Sequence, residues 1–190
     1  MCRGGWSRAA ALAAAILCAS AVPVLAQAQV KEWAEFVDRD DHFTVNFPGI
    51  PAKKDLAYKT GKGTSLPAHV YTASDARGTY SIMVVNYANA AAEQGAAIAE
   101  AAAAERKKGK PLYDEKGNID RIKTWRMSVE LPDGRIQMSE IMFHQGRLYI
   151  SEANVALKAP PPAQFQASLQ VLDDDGVRIR YNQDGVTRQR

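Results

Sequence analysis

The chain has 190 residues, of which 46% are hydrophobic and 24% charged, and its formal net charge is +3 at pH 7. This length and apolar content are sufficient for one domain with a substantial core. The small net charge gives no electrostatic argument for binding to nucleic acid or to an anionic membrane.

The first 26 residues have the organisation of a secretory signal peptide. Two arginines supply a short positive region, and residues 9–25 are almost entirely apolar. Ala26 ends a Val-Leu-Ala run with small residues at the spacing that signal peptidase reads, and Ala28 offers a second cleavage site. The sequence therefore predicts export to the periplasm or the medium.

Membrane attachment is the alternative to cleavage. The apolar span is rich in alanine, is interrupted by Ser20 and Pro23, and is short and weakly hydrophobic for a transmembrane helix. Lipid attachment at Cys18 requires a small preceding residue, whereas this position is the bulky Leu17. We therefore expect no membrane anchor after cleavage.

Signal cleavage changes both the chemistry and the charge of the chain. Cys2 and Cys18 are removed, so the mature protein has no disulfide, no thiol nucleophile and no cysteine metal site. Loss of Arg3 and Arg8 lowers the number of basic residues from 24 to 22 against 21 acidic residues, which leaves a net charge of +1. Stability must then come from packing alone.

Four segments that follow the signal peptide are predicted to be strands because apolar and polar residues alternate in them. One of them places Phe43, Val45 and Phe47 on a single face and stops at Pro48-Gly49. Proline cannot donate to a sheet and glycine tolerates the left-handed region. We interpret this stretch as the end of a core strand rather than as a ligand loop. The other three segments are EWAEFV, KKDLAYKT and AHVYTAS.

Residues 79–87 form a different kind of strand. The run Ile82-Met83-Val84-Val85 is apolar without interruption, so both faces of this strand are apolar. Such a strand is predicted to lie centrally in a sheet, with material packed on both sides.

A helix is predicted over residues 90–108, which contain ten alanines. Asn89 is available as the N-cap, basic residues occupy the last turn, and Gly109 and Pro111 follow the end. Ile98 is its only large apolar residue, so this helix should lie close against a sheet or partly in solvent.

Three further strands are predicted as an antiparallel meander. In the first, Trp125, Met127, Val129 and Leu131 face one way, and we expect that face to be core. Short turns at 132–134 and 145–146 lead into IQMSEIMF and RLYISEANVAL, and connections this short require antiparallel neighbours.

The last elements are predicted with a weaker pattern. A second helix begins at the prolines 160–162 and has Phe165, Leu169 and Leu172 at helical spacing. The segment VRIRY is a candidate short strand. The polar residues 182–190 are predicted to form a loose tail.

This layout resembles a known superfamily. A tryptophan-led strand, followed at residues 43–51 by aromatic-x-Val-x-Phe-Pro-Gly-x-Pro, is similar to small exported bacterial proteins of the PsbP-like superfamily, which share the fold of the extrinsic PsbP subunit of photosystem II. The resemblance implies one α+β domain over residues 27–181, with two helices packed on an antiparallel meander sheet. Members serve as assembly factors, chaperone-like adaptors and subunits, so it suggests a binding role and transfers no site residue.

Residues that could carry chemistry are scattered. His42, His69 and His144 lack a histidine partner at helical spacing, so no metal site is predicted. Glu140 and His144 share one face of a strand, and without a third ligand we interpret them as a polar pair on the outer face.

Four charged or glycine-containing segments resemble ligand motifs but lack their defining residues. The segment DEKGNID, residues 114–120, lacks the glycine and glutamate spacing of a calcium loop, and GKG at 61–63 lacks the rest of a phosphate loop. We interpret DDDG at 173–176 as a turn and ERKKGK at 105–110 as a helix end. No nucleophile motif occurs, so no catalytic residue and no cofactor is predicted.

Three functions are compatible with the sequence. The first is a non-catalytic assembly or chaperone-like protein that binds another exported protein through a sheet edge or a groove beside the helix. The second is a carrier of a small apolar ligand, because a curved sheet under a thin alanine helix can leave a cavity. The third is an unrecognised hydrolase, since two well-placed carboxylates suffice for glycoside hydrolysis.

Overall fold

A computed structural model of the chain describes residues 32–182 and 185–189, and the predicted signal peptide, residues 1–26, lies outside them. The elements in chain order are β1 (Trp33–Asp38), β2 (Phe43–Pro48), β3 (Ala52–Lys59), β4 (Ser65–Ser74), β5 (Gly78–Asn86), a 3₁₀ segment (Ala91–Ala96), α1 (Ala97–Arg106), β6 (Lys110–Ile119), β7 (Ile122–Glu130), β8 (Arg135–His144), β9 (Arg147–Ala156), α2 (Ala163–Gln166), β10 (Gln170–Val171), β11 (Arg178–Asn182) and β12 (Gly185–Gln189).

Seven strands form the main sheet in the order β3-β4-β5-β9-β8-β7-β6. All of its pairs are antiparallel, and the predicted meander β7-β8-β9 is confirmed. Tight turns join the strands of this meander, with positive φ at Gly134, Gln145 and Gly146. These turns are too short for any crossover, which is why sequence neighbours became sheet neighbours.

Strand β5 lies inside the sheet, between β4 and β9, as its two apolar faces predict. Tyr80, Ile82 and Val84 belong to one hydrophobic cluster, whereas Val85 and Tyr87 belong to the other. The sheet therefore has a core on each side, one under the small sheet and α2, the other under α1.

The small sheet has the order β1-β2-β10. Its strand β2 buries Phe43, Val45 and Phe47 at 1% exposure or less. Gly49 follows with φ +84°, and its N–H donates to the carbonyl of Glu32. The prediction that this stretch ends a core strand is confirmed.

The first helix is shorter than predicted. Residues 91–96 are 3₁₀, α1 begins at Ala97, and Ala90 rather than Asn89 precedes the helical segment, without a side-chain cap. Gly95 lies in the 3₁₀ segment, and because glycine is a weak helix former, its presence there is consistent with the late start of α1. The predicted close packing on the sheet is confirmed, because the small side chains of Ala97 and Ala101 are buried against it.

The second helix was predicted too long. It ends at Gln166, and Leu169 and Leu172 are buried without being helical. Residues 170–171 instead pair with β2, and the Asn46 N–H donates to Ser168 Oγ. Residues 170–171 therefore pair with the open edge of β2, although the apolar spacing of this segment is also compatible with a helix.

The C-terminal prediction was partly wrong. The strand in VRIRY is present as β11, but residues 185–189, predicted as part of a loose tail, pair with it as β12. A hairpin of this kind is joined by backbone hydrogen bonds, so its polar sequence gave no signal. No helix in the described part of the chain is long and apolar enough to span a membrane.

Candidate functional site

Strand β6 is the most exposed long strand of the main sheet. It forms one end of the strand order and pairs with β7 alone among the described strands. Nine of its ten residues are exposed, including the apolar Leu112 at 51% and Tyr113 at 45%. An uncovered edge strand offers backbone donors and acceptors to another chain.

The opposite edge of the sheet, β3, is also exposed but differs in character. It carries Lys53, Lys54 and Lys59 along its length, and its larger apolar residues Leu56 and Tyr58 are half-buried. Lysines on an edge strand oppose pairing with other chains, and β6 also carries Lys110, Lys116 and Pro111. Unlike β3, however, β6 displays two large exposed apolar residues, Leu112 and Tyr113. Strand β3 can therefore serve as the control edge in experiments on β6.

A groove lies on each face of the sheet beside β6. The first, called the α2-side groove, has a volume of about 340 Å³. Its lining includes polar residues of the sheet and small residues near α2: Tyr113, Arg126, Ser128, Met138, Glu140, Pro161, Ala163, Gln166 and Ala167. Because cross-strand partners share a face, Tyr113 and Ser128 lie together here.

An ion pair between a buried carboxylate and a half-exposed arginine lies in the α2-side groove. Arg126 Nε donates to Glu140 Oε2 at 2.7 Å, and the Glu140 side chain is only 3% exposed whereas that of Arg126 is 52% exposed. Burial raises the pKa of Glu140 and Arg126 opposes that rise. Glu140 Oε1 has no hydrogen-bond partner among the described residues.

The predicted position of Glu140 and His144 is therefore wrong. Both are buried, and they share the face of β8 that carries Ile136 and Met142 toward the core under the small sheet. Burial lowers the pKa of His144, with further contributions from Arg147 and His42. The alternation in β8 correctly placed both residues on one face. It did not show that this face is buried, because the packing of the small sheet was not visible in the sequence.

The second groove, called the α1-side groove, has a volume of about 420 Å³. It is lined by Gly95, Ile98, Ala99, Lys116, Gly117, Asn118, Lys123, Thr124 and Trp125. Trp125 shares the inward face of Met127, as predicted; this face lies on the α1 side, and Trp125 is half-buried rather than fully buried. Its Nε1–H donates to Asp114 Oδ1 at 2.5 Å, and Arg106 and Lys116 each lie 4.7 Å from the centroid of its ring.

Two further charged clusters serve the packing. Tyr71 donates to Asp38 and to Asp41, and His69 Nδ1 lies 2.6 Å from Asp41, so the β1–β2 turn is tied to β4. Burial and the two aspartates raise the pKa of Tyr71.

The second cluster lies at the end of α1. Glu105, 4% exposed, accepts from Gln137 and Ser139 of β8, and Lys108 pairs with both Glu105 and Glu152. Burial and Glu105 raise the pKa of Glu152, and Lys108 opposes them. The sequence alone indicates only a helix end there, the basic segment ERKKGK at 105–110.

The other segments singled out in the sequence are structural. Residues 61–63 turn from β3 to β4, and residues 114–119 lie in β6. Asp173 Oδ1 accepts the N–H groups of Asp175 and Val177, which confirms the predicted turn at 173–176. No group of three or more His, Cys, Asp or Glu side chains within residues 32–182 and 185–189 could hold a metal ion.

Comparison with solved structures supports the fold. No family model and no curated protein matches the chain. Among solved structures, the chain is similar to cyanobacterial PsbP (CyanoP) from Synechocystis sp. PCC 6803, with a TM-score of 0.52 and 10% sequence identity over 75% of this chain and 94% of that one. At this identity the likeness shows architecture alone, and the chain therefore has a PsbP-like α+β fold.

Proposed function

We propose that this chain is a non-catalytic binding or assembly protein that pairs strand β6 with an extended segment of another exported protein. The observation that carries the proposal is the exposed edge of β6, with Leu112 and Tyr113 displayed on it and a groove on each face. Strand addition uses main-chain hydrogen bonds for affinity and pockets for alternate side chains for specificity.

The two grooves suit this mode geometrically. Successive side chains of a strand point to opposite faces of the sheet. A segment added beside β6 would send alternate side chains toward the α2-side groove and the α1-side groove. An edge without such grooves would offer backbone hydrogen bonds but little selectivity.

Site-specific photocrosslinking in the producing cells tests the proposal. A benzophenone amino acid is placed in turn at the exposed β6 positions Leu112, Glu115 and Asn118, and at Ala57 of β3 as the matched control. We expect the β6 positions to crosslink to one protein and Ala57 not to do so. The attached residues should move steadily along one short partner segment as the probe moves along β6.

Edge substitutions provide the second half of the test. Leu112→Lys with Tyr113→Lys should abolish the crosslink, whereas Ala57→Lys should leave it unchanged. Both variants change exposed residues, so unfolding free energies should stay within about 0.5 kcal/mol of the wild type. Equal crosslinking from β3 and β6, or attachment points scattered over the partner surface, would rule out strand addition.

A further inference from the structure

The α1-side groove has the size of a small-molecule site. Its volume of about 420 Å³ lies at the smaller end of the range of roughly 300–1,000 Å³ for ligand pockets. Small residues of the helical segment create the space. A Cβ atom added at Gly95 would meet no atom within 4 Å, so the groove is open above that residue.

The walls of the groove are apolar and one of them is held rigidly. Ile98 and Trp125 are half-buried and pack against the cluster under α1. The indole is fixed by its hydrogen bond to Asp114 and by the guanidinium of Arg106 over the ring. A fixed aromatic surface binds an apolar group with little loss of side-chain entropy.

The rim of the groove has an uncompensated positive charge. Arg106 is paired with Asp114, so this cation is neutralised. Lys116 and Lys123 are exposed, and none of the ion pairs found within residues 32–182 involves either of them, although Lys116 lies 4.7 Å from the centroid of the Trp125 ring. Asn118 adds an exposed amide beside them. An anion is therefore the complementary head group.

We infer that the α1-side groove binds a small amphipathic carboxylate, a molecule with one carboxylate head and a hydrocarbon or aromatic body. The carboxylate lies between Lys116 and Lys123, and the body lies against Ile98 and Trp125. Binding of this ligand does not require strand addition at β6, although a segment paired with β6 would direct alternate side chains toward the same groove. It also differs from the carrier of a purely apolar ligand that the alanine helix suggested, because a neutral ligand would leave both lysines without an anionic partner.

The test uses octanoate and phenylacetate as probes on the mature chain at low ionic strength, since salt screens exposed charges. The indole N–H resonance of Trp125 reports the groove, and that of Trp33 reports a distant site. Octanol and acetate are the controls, because each retains only one half of the proposed ligand. We expect octanoate, phenylacetate or both to shift the Trp125 signal saturably, with the controls much weaker.

The relative affinity of the probes identifies the body of the ligand. Preference for octanoate indicates an aliphatic chain, preference for phenylacetate an aromatic ring, and equal affinity a site that accepts both. Absence of saturable binding by either probe would overturn the inference. Equal binding of octanol, or equal binding of acetate, would also overturn it, because the groove would then be recognising only one half.

Matched variants locate the site. Lys116→Ala with Lys123→Ala should weaken binding by about threefold to tenfold, the range for two exposed charge contacts. Lys54→Ala with Lys158→Ala removes the same charge elsewhere and should have no effect. Gly95→Leu should fill the groove and abolish binding, whereas Ala91→Leu, in the same 3₁₀ segment but outside the groove lining, should not. Unchanged binding in both groove variants would place the ligand elsewhere and refute the assignment.

Discussion

Removal of Arg126 should produce a loss of stability that depends on pH. Its Nε donates to Glu140, whose side chain is 3% exposed and whose other oxygen has no hydrogen-bond partner among the described residues. Arg126→Ala would leave an ionised carboxylate buried without its cation. Hydrogen bonds to charged groups contribute about 1.5–3 kcal/mol, and loss of one partner of a fully buried pair costs about 3–5 kcal/mol. Because Arg126 is half-exposed, we expect about 1.5–3 kcal/mol at pH 7.5.

The sign of the pH dependence follows from the pKa of Glu140. Burial raises this pKa above its ordinary value, so the neutral form is favoured in the folded state. The stability that protonated Glu140 contributes is fully present below its pKa in the unfolded state. It is lost as pH rises through its pKa in the folded state. Arg126 offsets that loss only when Glu140 is ionised. The cost of Arg126→Ala should therefore be small near pH 4.5 and grow toward pH 7.5.

Urea unfolding at the two pH values provides the assay, with the midpoint and slope both recorded. The control is Arg126→Ala in a Glu140→Gln background, where no carboxylate remains to be left unpaired. We expect the pH-dependent part of the loss to disappear in that background. A cost below about 0.5 kcal/mol at pH 7.5, or one that is equal at both pH values, would show that Arg126 does not stabilise a buried charge.

Three further predictions concern packing, the β2 turn and export. Phe165→Ala should cost about 3–5 kcal/mol because this ring is 0% exposed. Trp125→Ala should cost only about 1–2 kcal/mol because its side chain is half-buried. Chemical denaturation of both variants measures the difference, and equal costs would contradict the burial argument. Gly49→Val should lower the melting temperature, because φ is +84° there and such strain costs about 1–3 kcal/mol. Lys54→Ala, the control, should leave the melting temperature unchanged. An unaltered melting temperature together with lost crosslinking to the partner would instead identify this stretch as a recognition loop. Export predicts a mature chain that begins near Gln27 or Gln29, which intact-mass measurement of a periplasmic extract would show; a full-length chain in the membrane fraction would contradict it.

Local patterns in the sequence predicted much of the main sheet and the end of β2. The period-2 alternation around Met127, the apolar run at 82–85 and the turns at Gly134 and Gly146 each specify their own geometry. Strands joined by tight turns must pair with their sequence neighbours, so the meander needed no knowledge of distant residues. The loss of helical regularity before Ala97 and after Gln166 was missed, since spacing alone does not distinguish a buried helix from a buried irregular segment.

The candidate sites depended on tertiary structure. Alternation placed Glu140 and His144 on one face of β8, but it could not say which face the small sheet and α2 would cover. Likewise, the residues that form the α1-side groove come from segments about 20 residues apart, and only the packing of the 3₁₀ segment and α1 beside β6 and β7 brings Gly95 and Lys116 to one cavity. Periodicity determines which side chains share a surface, whereas long-range packing decides whether that surface becomes core, groove or solvent-facing edge.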